Sequence, residues 1–212
     1  MSRVSRIRGW TAVAAAALVG VTVVACASSS TQQVRTAGQR PSSTAAGVVT
    51  YETFSPYAAT GTLAVPVADQ TPGSCWTGSI AVAAPGTYRC LAANQIRDPC
   101  FADTTRAVVT MVACVADPWS PAHVITLTAP LPTATAASPT RSPWALQLAN
   151  GAHCVAVTGT VPAVGSVALN YECGADRAAG IIRNDGARIQ VDYGARDGSG
   201  IAQVAVQLAW WV

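Results

Sequence analysis

Residues 201–212, IAQVAVQLAWWV, alternate between two kinds of side chain without a break. A two-residue period puts Ala202, Val204, Val206, Leu208, Trp210 and Val212 on one face of an extended strand. Gln203, Ala205, Gln207 and Ala209 fall on the other face. A helix would scatter these apolar residues around its circumference, so the stretch reads as a strand with one buried face. Arg188 to Tyr193 repeat the pattern, with Ile189, Val191 and Tyr193 opposite Arg188, Gln190 and Asp192. Val167, Leu169 and Tyr171 form another alternating set that ends at Cys173, and β-branched runs occupy 106–115 and 123–128. Only LAANQI, 91–96, has a helical look, for one or two turns. Short strands, frequent Gly and Pro breaks and no long 3.6-residue period predict an all-β domain over 48–212. The expected form is a small disulfide-bonded sandwich or open barrel with at most a short helix.

The hairpin WALQLANGAHCVAV, 144–157, carries the most explicit register. Asn150-Gly151 is a preferred pair for a two-residue type I′ turn, where both positions take positive φ. With that turn Leu148 faces His153, Leu146 faces Val155 and Trp144 faces Val157. These apolar residues are then core, and His153 lies at the rim.

The chain has seven cysteines, an odd number that disulfides alone do not consume. The N-terminus explains the surplus. Residues 1–10 carry Arg3, Arg6 and Arg8 and no acid, and 11–25 are uncharged and apolar. This is the layout of a secretory signal peptide, shorter than the roughly 20 residues of a membrane-spanning helix. Val23-Val24-Ala25-Cys26 resembles the lipobox of bacterial lipoproteins. That resemblance implies that 1–25 are removed and that Cys26 becomes a lipid-bearing N-terminus. Residues 26–47 are rich in Ser, Thr, Ala and Gln and read as a flexible tether, and 129–143 read as an exposed loop. Cys75, Cys90, Cys100, Cys114, Cys154 and Cys173 remain, an even set suited to an oxidising extracytoplasmic compartment. Spacing alone leaves their connectivity open; local closure favours Cys75 with Cys90, Cys100 with Cys114, and Cys154 with Cys173. Each such loop is worth about 3 kcal/mol through restriction of the unfolded chain.

Charge and motifs exclude several functions. The formal net charge of +3 equals the three leader arginines, so the mature chain is formally neutral. It has no electrostatic footprint for nucleic acid. No C-x-x-C pair occurs, and His123 and His153 lack ligand-like spacing, so no metal is expected. No phosphate loop or dinucleotide fingerprint is present, so no cofactor is expected either. RDGSG, 196–200, lacks the first glycine of a nucleophile elbow. Asp98 and Asp103 flank Cys100 in IRDPCFAD; paired carboxylates suit glycoside hydrolysis, whereas turn-forming aspartates accept backbone hydrogen bonds. Among the tryptophans, Trp76, Trp119 and Trp211 fall outside the predicted core and form a candidate binding surface, Trp211 pointing away from its strand's core face.

The strings SCWTGS (74–79), NQIRDPCFA (94–102), ADPWS (116–120), SPWALQLANGAHC (142–154) and LNYEC (169–173) resemble landmarks of an exported, mycobacterial-type family of actinobacterial proteins and lipoproteins. The resemblance spans roughly 70–212 and implies a cell-envelope protein with a six-cysteine β-rich domain. It carries no catalytic residue. The expectation is therefore a non-enzymatic binding or structural module, tethered by its N-terminal lipid to the outer face of the cytoplasmic membrane, with an envelope protein or glycan as partner. An envelope hydrolase acting on glycan or ester, using Asp98, Asp103 or a histidine, is the alternative.

Overall fold

The computed structural model describes residues 47–133 and 142–212. Cys26, the signal peptide, the tether up to residue 46 and most of the 129–143 loop lie outside the described residues. Those described contain no helix. After a short strand β1 (Thr50–Thr53), five strands follow as a meander: β2 (Val67–Gly78), β3 (Thr87–Ala92), β4 (Gln95–Ala102), β5 (Met111–Cys114) and β6 (Ala122–Leu127). Each pairs antiparallel with the next. Five is an odd number, so the first and last strands run in the same direction. The closing β2–β6 pair is accordingly parallel, with Val67 opposite Ala122 and Gly73 opposite Leu127. Closure removes the exposed edges an open sheet would carry.

The second half forms another ring. β7 (Ala145–Leu148), β8 (His153–Ala156), β11 (Tyr171–Glu172), β12 (Arg177–Asn184), β13 (Ile189–Ala195) and β14 (Ala202–Trp211) pair antiparallel in that order. β14 then pairs with β7 and closes the circuit. The far end of β14 also carries β1 alongside it in parallel. A two-strand excursion, β9 (Ala163–Val164) and β10 (Val167–Ala168), interrupts the path between β8 and β11.

Each ring has its own interior. Cys75, Cys90, Cys100, Cys114, Val112 and Ile125 fill the first. Leu146, Leu148, Tyr171, Ile189, Val191 and Val206 fill the second, with the Tyr171 hydroxyl donating to the Pro143 carbonyl at 2.8 Å. A third cluster lies between the rings: Phe101, Ala113, Val115 and Ala122 from the first meet Trp144, Ala145 and Trp210 from the second. Phe54, on the segment after β1, packs 5.1 Å from Trp144 and 5.6 Å from Phe101. The described residues thus form two small barrels joined side by side by an apolar seam.

Disulfides join Cys75 to Cys90, Cys100 to Cys114 and Cys154 to Cys173. The first two link residues directly opposite on neighbouring strands, and the third lies one register step beyond the β8–β11 ladder. Every bridge therefore staples an antiparallel pair that the backbone already holds.

Three local expectations are corrected. LAANQI is no helix: Ala93 and Asn94 take φ of 48° and 62° and form the two-residue turn of the β3–β4 hairpin, with Ala92 opposite Gln95. The Asn150-Gly151 turn has three loop residues rather than two. The Leu148 N–H donates the closing bond to the Ala152 carbonyl at 2.8 Å, and Gly151 alone in the loop takes positive φ, 83°. The pairing slips by one, so Leu146 faces Cys154 and Val155 faces Ala145. Leu146, Leu148 and Cys154 point into the barrel, while Val155 joins the seam with Trp144. Finally, the even-numbered set of the C-terminal strand is split. A bulge between Val206 and Leu208 inverts the alternation, so Val204, Val206 and Ala209 face the barrel interior while Leu208, Trp210 and Val212 face the seam. Ala205 and Ala209, expected on the outer face, are buried.

Candidate functional site

Beside the seam the two barrels leave a hollow bordered by His153, and His123 borders an adjoining hollow on the first barrel. The first wall of the hollow at His153 is the turn between β5 and β6. Asp117 accepts the Trp119 backbone N–H at 2.9 Å with one carboxylate oxygen and the Ser120 hydroxyl at 2.8 Å with the other. This is the local hydrogen-bonding habit that makes aspartate a turn former. It fixes the backbone of Trp119, whose ring projects from the first barrel toward the second.

The opposite wall is β8. The one-residue slip of its hairpin places His153 on the outer face, opposite Gln147. There the imidazole stacks on the Trp119 indole, ring centres 3.9 Å apart and planes within 3°. Trp210 meets Trp119 edge-on at 4.8 Å. Trp119 remains 36% exposed, so it forms a partly open aromatic surface held by contacts from both barrels.

Polar groups converge around it. Asp98, on β4, accepts the Ser79 hydroxyl at 2.5 Å and the Ile80 N–H at 3.2 Å, with Arg89 Nε 3.9 Å away. The Arg89 guanidinium lies 5.8 Å from the Trp76 ring. His123 Nδ1 is 2.9 Å from Asp69, and Glu172 on β11 pairs with Arg196. Three hollows adjoin along this surface. One of about 290 Å³ is bounded by Arg97, Asp98, Ser120 and His123. The next, about 580 Å³, shares Asp98 and Ser120 and adds Trp119, His153 and Glu172. The third, also about 580 Å³, shares Val157 and Glu172 and continues past Thr158 and Thr160 to Arg196.

The structure thus brings Asp98, Trp119 and His153 to one hollow, sets His123 on the adjoining one, and leaves the other candidates apart from them. Asp103 is buried and accepts the Thr105 hydroxyl at 2.6 Å and Arg106 Nε at 2.8 Å. The Thr105 hydroxyl bond leads, against desolvation, in holding its carboxyl below the ordinary value. Its partners differ entirely from those of Asp98, so the two do not work as a pair. Trp76 is exposed on β2, and Trp211 is half-buried beside β1. Cys90, Cys100 and Cys114 bring their sulfurs within 4.8 Å of one another, but all three are committed to disulfides and offer no thiolate to a metal. Sequence reasoning missed Asp117, Ser120, Glu172 and Arg196. ADPWS held a signal for the first two, since an aspartate two and three residues ahead of its donors is a turn motif. Nothing in the sequence placed Glu172 and Arg196 near them. No protein family, no curated protein and no solved structure matches the chain.

Proposed function

We propose that this protein is a lipid-tethered module of the cell envelope that holds a ligand in the groove between its two barrels. The observation that carries the reading is the cysteine count. Six of the seven cysteines pair with one another, and the remaining one, Cys26, follows a basic and apolar leader in a lipobox-like setting. Three disulfides support an oxidising compartment, and acyl chains on Cys26 would supply ~0.8 kcal/mol of anchoring per buried methylene. The groove supports binding because its polar groups are already positioned: Asp98, Asp117 and Glu172 each have a protein donor, and Trp119 is clamped by two rings.

Expressed in a lipoprotein-processing bacterium, the full-length chain should fractionate with membranes, and globomycin should make its precursor accumulate. Cys26→Ser should release it or leave it unprocessed while the domain still melts cooperatively. Normal processing and membrane attachment of Cys26→Ser would refute the anchor. The hydrolase reading retains one observation in its favour, the His123–Asp69 contact beside a hollow that Ser120 also borders. Ser120 gives its hydroxyl proton to Asp117, however, not to a histidine. Turnover of envelope glycan or ester substrates that is lost in His123→Ala would favour that reading over the binder.

A further inference from the structure

We infer that the groove accepts a linear, uncharged oligosaccharide, an inference that rests on the binding-module reading above. The first argument is shape. The three hollows share walls, Asp98 and Ser120 between the first two, Val157 and Glu172 between the last two. A run of joined hollows across two barrels suits a chain of repeated units rather than one compact molecule, each hollow being of the size that takes a small ligand or less.

The second argument is the chemistry at the centre. Trp119 has one face covered by the His153 ring and Trp210 against it, yet stays 36% exposed, and this remaining rigid aromatic surface is what the C–H groups of a pyranose would meet. Around it stand acceptors that suit hydroxyl donors. Asp98, Asp117 and Glu172 each use part of their lone-pair capacity on the protein and keep the rest. Ser120, whose proton is given to Asp117, adds an acceptor, and the His153 imidazole adds a group that both donates and accepts.

The third argument is charge. The central hollow is lined by these three carboxylates and by no arginine; Arg97 borders the first hollow, and Arg196 borders the third and is paired with Glu172. A phosphate-bearing or uronic polymer would meet like charge at this centre. A peptide that binds by strand addition would need an open strand edge. β8 and β11, which border the centre, are paired on both sides, β8 with β7 and β11, and β11 with β8 and β12.

The test uses the full-length lipoprotein purified in detergent. Envelope material from its own host is partially hydrolysed and separated into neutral oligosaccharides, acidic oligosaccharides and peptides, and each pool is titrated calorimetrically and by tryptophan fluorescence. The neutral pool should bind saturably, more tightly as chain length rises from two to several units. Trp119→Ala should weaken binding by about tenfold or more. Glu172→Gln, which alters only an exposed ion pair, should weaken it severalfold with an unchanged melt, and Trp76→Ala should leave it intact. Melting curves separate loss of binding from loss of fold in Trp119→Ala, and Trp119→Phe should recover part of the affinity. Saturable binding of the acidic or peptide pool instead, still dependent on Trp119, would overturn the ligand class and leave the groove as a binding site. Neutral binding indifferent to both Trp119→Ala and Glu172→Gln would overturn the location. Binding of no pool would overturn this inference together with the binding-module reading, whatever Cys26→Ser shows about the anchor.

Discussion

Removing the Trp210 side chain tests the seam that makes one domain of two barrels. Trp210 is 7% exposed, packs with Trp144, Phe101 and Val82, and supports Trp119 at 4.8 Å. A buried Trp→Ala change typically costs ~3–5 kcal/mol, set by lost transfer energy plus the cavity left behind. Each kcal/mol moves the melting point of a domain this size by about 2–4 °C, so Trp210→Ala should lower it by about 6–20 °C. That loss is a large share of a total stability of ~5–15 kcal/mol. The neighbouring Trp211 is only half-buried, and its backbone oxygen, which accepts from Phe54 N–H at 2.7 Å, survives substitution. Trp211→Ala should cost about 1 kcal/mol, a shift of about 2–4 °C. Differential scanning calorimetry of the two variants at one pH and detergent concentration makes the comparison. Because the barrels have separate interiors, the Trp210→Ala trace should also broaden or split as their coupling weakens. Equal penalties for the two substitutions would refute the reasoning, since they would mean that Trp211 is as important to packing as the seam residue.

The Thr105 hydroxyl bond holds the Asp103 carboxyl below its ordinary value of 3.8. The stability it confers is thus complete above that value and lost as pH falls through the lowered one, so Asp103→Asn should flatten the acid limb of a stability–pH profile measured by urea melts. On the alkaline side, burial and then the Asp103 charge raise Tyr57 to about 12. Stability should therefore fall as pH climbs from 10 toward 12, and Tyr57→Phe should remove that slope. A methyl group on Gly180 would run into the Ala168 carbonyl and stand 2.7 Å from Val167 Cγ1, so Gly180→Ala should destabilise by ~1–3 kcal/mol in the same melts and loosen the β9–β10 excursion. Ala93 holds a left-handed φ of 48°, which strains any residue with a Cβ. Ala93→Gly should accordingly stabilise the domain by about 0.5–1 kcal/mol, and a fall in melting point would count against the turn described for it.

Much of the local structure was written in the residues. Alternation over 188–193 and 201–206 marked strands and their inner faces, because a two-residue period is a property of the extended chain itself. The cysteines between 75 and 173 marked a disulfide-bonded domain, and their tight spacing favours local bridges because short loops close at small entropic cost. Three features depended on contacts distant in the chain. Asn150-Gly151 suits a two-residue or a three-residue loop, and the choice is made by which face of the hairpin the second barrel can fill: Leu146, Leu148 and Cys154 inside, Val155 and His153 outside. The bulge at Val206–Leu208 follows from β14 serving one barrel's interior at its start and the inter-barrel seam at its end, a double duty invisible in an unbroken alternation. Closure itself rests on pairings such as β2 with β6 and β7 with β14, which periodicity does not specify because it tells a residue which way to face and not which strand to face. The groove has the same origin. Trp119, His153 and Glu172 come from segments that carry no mutual signal, and only the packing of one closed barrel against another sets an indole on an imidazole beside a carboxylate.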